Sequence, residues 1–273
     1  MIIVNEYIYI NGYRVENSLP LRTLFFGEGL FETFRYRNRL PALIDKHLER
    51  METGAKLLSV PFPKKEYIKE LLENAVLESG LKDAYVKICL LSQGESVFYK
   101  TAVKSQLLVI VKEYMPPRQS VKVEISSFRR VSESPLHGVK SLNYLENILS
   151  RREASDSGLD ESLFLNERDE VTECSASNIF WLKGNTLFTP SIECGLLCGT
   201  TRALILNFVH DYGINPVEGN LTLNDLKDAD FVFITNSLIG CIPVTELEGY
   251  SINSVNNNFD KIRKALLQKL KWE

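Results

Sequence analysis

The chain has 273 residues, which is enough for one or two domains with a sizeable buried core. Hydrophobic residues make up 44% of it and charged residues 25%, the composition of an ordinary globular protein rather than a disordered one. The 32 basic and 35 acidic residues give a net charge of −3, so the chain lacks the basic excess that drives binding to a nucleic acid backbone. Nucleic acid is therefore excluded as an expected partner.

The N-terminus, the apolar runs and the cysteines together favour a location in the cytoplasm. Residues 1–6 have no basic region and already contain Glu6, unlike a secretory signal. The longest apolar runs, such as residues 107–111, are far too short to span a bilayer. Five singly spaced cysteines indicate reduced thiols rather than a disulfide framework. With only three histidines, we expect no metal site of the histidine-cluster type.

The first half of the chain predicts strands, then two helices, then strands again. Residues 7–10 alternate in polarity and meet Asn11-Gly12, which is typical of a hairpin. Residues 30–36 predict the next strand, turned at residues 37–39 into a further one at 40–44. We expect Asp45 to cap a first helix. A second helix is predicted at 64–79, ending at Gly80, and three strands at 84–91, 106–112 and 121–126.

Two adjacent prolines mark the predicted boundary between two domains. Residues 115–118 read Met-Pro-Pro-Arg, and proline cannot donate to a strand ladder. We therefore expect a smaller N-terminal domain at 1–115 and a larger C-terminal domain at 116–273. The second half mixes both types of element, so the expected fold class is α+β. Helices are predicted at 143–156, 201–213 and 259–270, and strands at 161–166, 177–183, 186–189, 231–235 and 241–245.

Three segments of the second half carry residues suited to one kind of chemistry. Lys140 stands just before an apolar helix, and a buried lysine becomes a nucleophilic amine, although a lone lysine is more often a surface residue. Glu173 enters an apolar strand among small residues, where a carboxylate can pair with a protonated ring nitrogen or simply lie in an exposed turn. Thr200 and Thr201 begin an apolar helix, and such an end binds phosphate or is merely capped. A pyridoxal 5′-phosphate enzyme requires all three features.

At these residues the sequence resembles the class IV (fold type IV) pyridoxal-phosphate family. Its members include branched-chain aminotransferases, D-amino acid aminotransferases and 4-amino-4-deoxychorismate lyase. The match covers most of the chain, and six motifs occur in the family's order and spacing. These motifs are residues 26–35, 47–51, 139–147, 172–180, 199–202 and 235–244.

The resemblance implies a two-domain α+β fold with the cofactor between the domains, and it implies roles for named residues. Lys140 carries the cofactor covalently and shuttles the proton at the substrate Cα, Glu173 keeps the ring nitrogen protonated, and Leu197 packs on a ring face. His47 is expected to be structural. Family members are homodimers whose pockets are completed across the interface. The implied phosphate-binding residues are Arg50, Thr200, Thr201 and Ser237, and the implied substrate pocket contains Phe31, Thr33, Gln93, Tyr144 and Asn236.

Within the family, the motifs around Glu173 and Asn236 look most like the lyase branch. This implies a 4-amino-4-deoxychorismate lyase that releases pyruvate and forms 4-aminobenzoate, a folate precursor. Gln93 departs from the pattern, because lyases and several transaminases usually have an arginine there to meet a substrate carboxylate. Two alternatives remain open: an aminotransferase of the branched-chain or D-amino acid type, and a cofactor-binding protein without turnover. Three other cations are candidates to replace the arginine: Lys87, Lys100 and Arg35.

Overall fold

A computed structural model describes residues 8–11, 13–15 and 19–272 of the chain. Strands β1 (Ile8–Ile10) and β2 (Tyr13–Val15) form an antiparallel pair in which Ile10 lies opposite Tyr13. Asn11 between them has a φ of 50°, the left-handed conformation that such a hairpin turn requires. The predicted hairpin is confirmed for these residues, while Gly12 and Tyr7 lie outside the described ones.

The first sheet is antiparallel, in the order β3-β4-β5, and two amphipathic helices cover it. Buried residues Leu48, Met51 and Ala55 recur at helical spacing on the first of these helices and pack against the sheet. The second helix ends at Gly80, whose φ of 70° closes it as predicted. The elements are β3 (Gly29–Arg37), α2 (Ile44–Leu57), α3 (Lys65–Ser79), β4 (Asp83–Gln93) and β5 (Lys104–Glu113).

Two predictions for the first 45 residues are wrong. Residues 40–43 form bends and turns rather than a strand, because the apolar Ile44 belongs to the buried face of α2 with Leu48. That helix has Leu43 at its N-cap, and Asp45 lies inside its first turn without a capping hydrogen bond. A short helix, α1 (Leu21–Phe26), lies where no specific element was predicted and is closed by the left-handed Gly27.

The second sheet has nine strands and carries apolar side chains on both faces. In its two central strands, Phe180 and Phe233 belong to one buried cluster, while Trp181 and Val232 belong to another. Alternate residues of a strand point to opposite faces, so the sheet is buried on both sides. The strands are β6 (Val121–Arg130), β7 (Glu161–Asn166), β8 (Val171–Cys174), β9 (Asn178–Lys183), β10 (Thr186–Pro190), β11 (Asn215–Gly219), β12 (Phe231–Asn236), β13 (Gly240–Leu247) and β14 (Tyr250–Ser251). Their order across the sheet is β11-β10-β9-β12-β13-β6-β7-β8, with β14 paired to β13.

Helices α4 (Leu145–Asp156), α5 (Thr200–Phe208), α6 (Leu223–Lys227) and α7 (Asn257–Leu270) pack around this sheet. Helices and mixed sheets confirm the α+β class. The predicted domain boundary at residue 115 falls between the two sheets and stays a prediction. Among the described residues, no helix is long and apolar enough to cross a membrane, and no three His, Cys, Asp or Glu residues are grouped as a metal would require.

Candidate active site

A cavity of about 700 Å³ lies where residues of both sheets meet. Most of the residues predicted to form the site line it. Gln93, which was expected in the substrate pocket, is not one of its lining residues. The predicted residues that do line it are Phe31, Thr33, Arg50, Lys140, Tyr144, Glu173, Leu197, Thr200, Thr201, Asn236 and Ser237.

Lys140 enters this cavity from a segment that is tied to β3. The backbone N–H of Phe31 donates to the Lys140 carbonyl at 2.9 Å, and that of Leu142 donates to Gly29 at 2.9 Å. The Lys140 Nζ lies 4.4 Å from the centre of the Phe31 ring. Loss of hydration, reinforced by the positive charge of Arg50, lowers the pKa of Lys140 to about 8. About half of these amines are therefore uncharged at pH 8, and an uncharged amine is a nucleophile.

Glu173 lies on the short strand β8 with 8% of its surface exposed. The Asn178 side-chain amide donates to its Oε2 at 3.3 Å, and the backbone N–H of Leu197 also donates to it. Burial raises the pKa of Glu173 to about 7, an effect that Arg130 opposes. A donor placed against this carboxylate therefore decides whether it is ionised near neutral pH.

Arg130 is a cavity residue that sequence reasoning missed. It is 5% exposed, and its NH2 lies 3.9 Å from Glu173 Oε1. Its NH1 donates to Glu146 at 3.1 Å and lies 3.0 Å from His137 Nδ1, and burial beside this guanidinium lowers the pKa of His137 to about 4. An arginine at the end of a strand carries no sequence signal that separates it from a surface cation.

Arg50 is held by a second residue that was missed, Glu32. The Arg50 Nε and NH2 donate to the two Glu32 oxygens at 2.8 and 2.7 Å, and His47 Nδ1 lies 2.7 Å from Oε2. Arg50 and His47 outweigh complete burial and lower the pKa of Glu32 to about 2. One signal was available, because Glu32 shares the inward face of β3 with Leu30 and a buried acid requires a cation.

The amino end of α5 forms a concave set of donors. A Cβ added to its N-cap, Gly199, would lie 2.0 Å from Asn178 Oδ1, so only glycine fits there. The first helical N–H groups have no partner within the helix. The Thr200 Oγ1 lies 3.4 Å from His47 Nε2. The Thr201 hydroxyl is buried and has no hydrogen-bond partner among the described residues. Such an end suits an anion.

Three other predicted site residues form hydrogen bonds around the cavity, and two of them, Tyr144 and Ser237, link the two sheets. The Tyr144 hydroxyl donates to the Ser175 carbonyl at 2.9 Å, and its ring meets that of Phe31 edge-on at 5.2 Å between centroids. The Asn236 amide donates to Ala176 at 3.0 Å. The Ser237 hydroxyl donates to the Thr33 carbonyl at 2.5 Å, so its proton is already used in this arrangement. The predicted contact of Ser237 with a phosphate stays a prediction.

Of the three candidate replacements for the arginine, only Lys87 lines the cavity. Its Nζ lies 4.4 Å from the Phe31 ring centroid, the same distance as Lys140 Nζ, and among the described residues no carboxylate pairs with it. Lys100 instead forms an ion pair with Glu95 at 2.6 Å. Arg35 donates to Asp83 at 2.7 Å and stacks on an aromatic ring.

Comparison with known proteins points to a single family. Residues 29–247 match the sequence model described as amino-transferase class IV. The chain is 31% identical to aminodeoxychorismate lyase of Bacillus subtilis, over 96% of this chain and 94% of the relative. It is 32% identical to a candidate branched-chain-amino-acid aminotransferase of Methanocaldococcus jannaschii, over 97% and 95%. The crystal structure of a candidate 4-amino-4-deoxychorismate lyase from Legionella pneumophila superposes with a TM-score of 0.87 at 32% identity, covering 90% of this chain and 93% of that one.

Proposed function

The chain belongs to the amino-transferase class IV family and is an enzyme, and we propose that it is a 4-amino-4-deoxychorismate lyase. Such an enzyme releases pyruvate from 4-amino-4-deoxychorismate and leaves 4-aminobenzoate, a folate precursor. One observation carries the proposal: a single cavity holds the Lys140 amine, the Glu173 carboxylate and the donors at the amino end of α5. Similarity to a lyase over 96% of the chain supports it further.

The proposed cofactor is pyridoxal 5′-phosphate, on which this family depends. When bound, it supplies an aldehyde for covalent attachment of an amine and a ring that draws electrons from the neighbouring carbon. The residues present fit this molecule. The buried Thr201 hydroxyl lacks a partner, and the α5 amino end offers N–H groups to a phosphate. Arg50, which also lines the cavity, adds a fixed positive charge.

Each proposed role follows from the chemistry of the side chain. Lys140, with its pKa near 8, attaches the cofactor covalently and later removes the proton from the substrate Cα. Glu173 accepts a hydrogen bond from the ring nitrogen and keeps the proton on it. Leu197 packs against a ring face. Arg50, Thr200 and Thr201 bind the phosphate.

Lys87 is the proposed partner of a substrate carboxylate. It lines the cavity beside Phe31 without a carboxylate partner of its own among the described residues, whereas Gln93 does not line the cavity. A lysine ammonium carries the full charge that a carboxylate prefers, which a glutamine amide lacks. Lys87 can therefore supply the positive charge that the family pattern usually places at position 93.

An aminotransferase of the branched-chain or D-amino acid type is the second candidate. The 32% identity to the archaeal relative favours it. In both enzymes Lys140 removes the Cα proton. In an aminotransferase Lys140 would then pass this proton to the bound cofactor, whereas in the lyase the bond between the substrate and its departing ether oxygen would break instead.

Product analysis separates the two candidates. The purified enzyme, saturated with pyridoxal 5′-phosphate, is incubated with 4-amino-4-deoxychorismate alone, and with a panel of amino acids and 2-oxo acids. We expect equal amounts of 4-aminobenzoate and pyruvate from the first incubation. Amino-group transfer in the panel without any 4-aminobenzoate release would establish the aminotransferase instead. The Lys140→Ala variant serves as the blank for both assays.

We further propose that the enzyme is a cytoplasmic homodimer. Three neighbouring segments expose large apolar side chains, and we call these residues the apolar patch. Arg22 on α1 donates to the carbonyls of Glu95 and Val97, and Asn143 donates to Gly27, so the three segments adjoin. Ile148 belongs to both the patch and the cavity lining, which supports a site completed by a second copy. The patch consists of Leu24, Phe25, Phe98, Tyr99, Leu145, Ile148 and Leu149. Five free cysteines support the cytoplasmic location.

A further inference from the structure

His47 links a buried carboxylate to a hydroxyl at the proposed anion site. It is 1% exposed, with Nδ1 2.7 Å from Glu32 Oε2 and Nε2 3.4 Å from Thr200 Oγ1. Thr200 begins α5, and the neighbouring Thr201 hydroxyl is 2% exposed and unpartnered. The imidazole therefore connects β3, through α2, to the place where a phosphate is proposed to bind.

The ionised Glu32 fixes the tautomer of His47. A carboxylate only accepts hydrogen bonds, so Nδ1 carries a hydrogen and donates to it. The pKa of Glu32, lowered to about 2, keeps this acceptor ionised at any pH at which the enzyme works. In a neutral imidazole with hydrogen on Nδ1, Nε2 is an acceptor. It then takes the hydroxyl hydrogen of Thr200, and that hydroxyl turns only its lone pairs to the cavity.

An anion at the amino end of α5 reverses the direction of the hydrogen bond between Thr200 and His47. A phosphate accepts hydrogen bonds, so Thr200 must turn its hydrogen towards it, and Thr200 Oγ1 must then accept from elsewhere. A protonated His47 provides that donor, because both of its ring nitrogens carry hydrogen. We propose that His47 takes up a proton when an anion binds there, and that this proton turns the Thr200 hydroxyl into a donor to the anion. His47 is thus a positioning residue for the cofactor phosphate.

The charges around His47 allow this proton uptake. Glu32 on β3 attracts the proton, whereas Arg50 on the same helix repels it. Lys140 and Glu173 face Arg50 across the cavity with opposite charges when both are ionised. Without an anion these groups carry no net negative charge, so a second positive charge beside Arg50 is unfavourable. A bound dianion compensates that charge.

The inference rests on the anion site of the proposed function, but its test needs no turnover. Sulfate is the probe, because it stays a dianion across the working pH range. The full chain, freed of cofactor and labelled with ¹⁵N, is titrated by NMR with and without saturating sulfate. Assignment is simple because the chain has only three histidines. We expect sulfate to raise the titration midpoint of His47 by at least one pH unit. Between the midpoints of the free protein and of the sulfate complex, the contribution of His47 should lower sulfate affinity by up to about tenfold per pH unit.

Two variants separate the hydroxyl relay from a simple effect of nearby charge. Thr200→Val still offers the backbone N–H groups of α5 to the anion but lacks the hydroxyl that links His47 to it. Sulfate should therefore raise the His47 titration midpoint by less than half as much as in the wild type. His47→Gln should lose the part of the pH dependence that comes from His47, so its sulfate affinity should change less with pH than that of the wild type, while the dependence due to Lys140 and Glu173 remains. His210→Gln is the matched control, because His210 is exposed and its loss should change nothing.

Three results would overturn the inference. The first is an NMR signal showing that His47 Nε2 carries no hydrogen in the sulfate complex at pH 7. The second is a sulfate-induced shift of the His47 titration midpoint in Thr200→Val as large as in the wild type. The third is no binding of sulfate by the wild type. Release of 4-aminobenzoate is measured separately on the loaded enzyme. An active enzyme with a neutral His47 contradicts only this inference, whereas an inactive enzyme with a proton-linked anion site contradicts only the proposed lyase activity.

Discussion

Two buried carboxylates of the site have opposite pKa shifts because their neighbours differ. Glu32 accepts two hydrogen bonds from Arg50 and one from His47, and its pKa is lowered to about 2. Glu173 accepts hydrogen bonds only from neutral donors, Asn178 and the Leu197 N–H, and its nearest guanidinium is 3.9 Å away, so burial raises its pKa to about 7. Glu32 is therefore a permanent anion that orients Arg50. Glu173 is instead an acid whose charge a cationic ring N–H stabilises, which suits the role proposed for it.

Replacing Glu173 by glutamine should leave cofactor binding largely intact and reduce turnover. A neutral amide does not keep a proton on the ring nitrogen. Losing such an electrostatic partner typically costs about 3 kcal/mol of barrier, which is about a hundredfold in rate. Steady-state kinetics with saturating cofactor measures the effect. Glu193→Gln, at an exposed position, is the control, and turnover of Glu173→Gln within a few-fold of the wild type would contradict the role.

Replacing Lys140 by alanine should abolish covalent attachment of the cofactor. Borohydride reduction of the loaded wild type, followed by peptide mapping, should place the adduct on Lys140. Because burial lowers the pKa of this amine to about 8, the rate of attachment to the cofactor-free enzyme should rise with pH and level off above pH 8. Lys183→Ala, on an exposed residue of β9, should keep the adduct. An adduct on Lys87 or Lys183 would refute the assignment.

Lys87 and Gln93 should respond differently to substitution. Lys87→Gln removes the cation proposed to meet the substrate carboxylate, so the specificity constant for 4-amino-4-deoxychorismate should fall at least tenfold, as expected for a charge-assisted contact of about 1.5–3 kcal/mol. Gln93→Arg should change little, because Gln93 does not line the cavity. Release of 4-aminobenzoate by both variants decides between them. If the specificity constant rose strongly in Gln93→Arg and stayed at the wild-type value in Lys87→Gln, the substrate carboxylate would have to bind near position 93 rather than at Lys87.

At the scale of elements, periodicity predicted the strongly patterned segments well. Strand β7 was predicted at its observed bounds, and α3 and α7 to within two residues. Strand β8 was missed because it has only four residues and contains the charged Glu173, which makes the segment look like an exposed turn. Helix α1 was missed because six mostly apolar residues are too few to reveal a helical period.

The site was predictable where chemistry has a sequence signature, and not where it depends on tertiary contacts. Lys140, Glu173 and Thr200 were identified through motifs and meet in one cavity. Glu32 and Arg130 were not, because their importance arises from partners 18 and 43 residues away in sequence. The pairing of β3 with residues 140–142, which brings Phe31 to Lys140, is likewise set by folding alone.

Helix α5 depends on a glycine at its amino end, and this yields a further prediction. In Gly199→Ala the new Cβ would lie 2.0 Å from Asn178 Oδ1, although the φ of −66° suits alanine. Asn178 or the helix end must move, so cofactor affinity should fall about tenfold, and overpacking should destabilise the fold by about 1–3 kcal/mol. Gly219→Ala, where the nearest atom is 3.6 Å away, is the control. Equal cofactor dissociation constants for the two variants would contradict the prediction.

At the scale of the whole molecule, the apolar patch and the cavity share one residue, Ile148. Leu145, Ile148 and Leu149 recur at helical spacing on α4 and remain 65%, 41% and 38% exposed. A helix face of this kind is normally buried against a partner. Because Ile148 of the patch also lines the cavity, a second copy seated on the patch would close the site from one side. Assembly and activity are therefore expected to be coupled.

Introducing a charge into the apolar patch should dissociate the proposed dimer into monomers, and activity should fall with it. Leu149→Glu places a carboxylate on the exposed face of α4, where burial in an interface without a cation is strongly unfavourable. We expect sedimentation to give a dimer for the wild type and a monomer for this variant, with the fold retained by circular dichroism. Turnover should fall at least tenfold, and higher protein concentration should restore part of it. Leu77→Glu, on the 72% exposed Leu77 of α3 outside the patch, should remain dimeric and active. A wild type that sediments as a monomer with full activity would refute both the dimer and its link to the site.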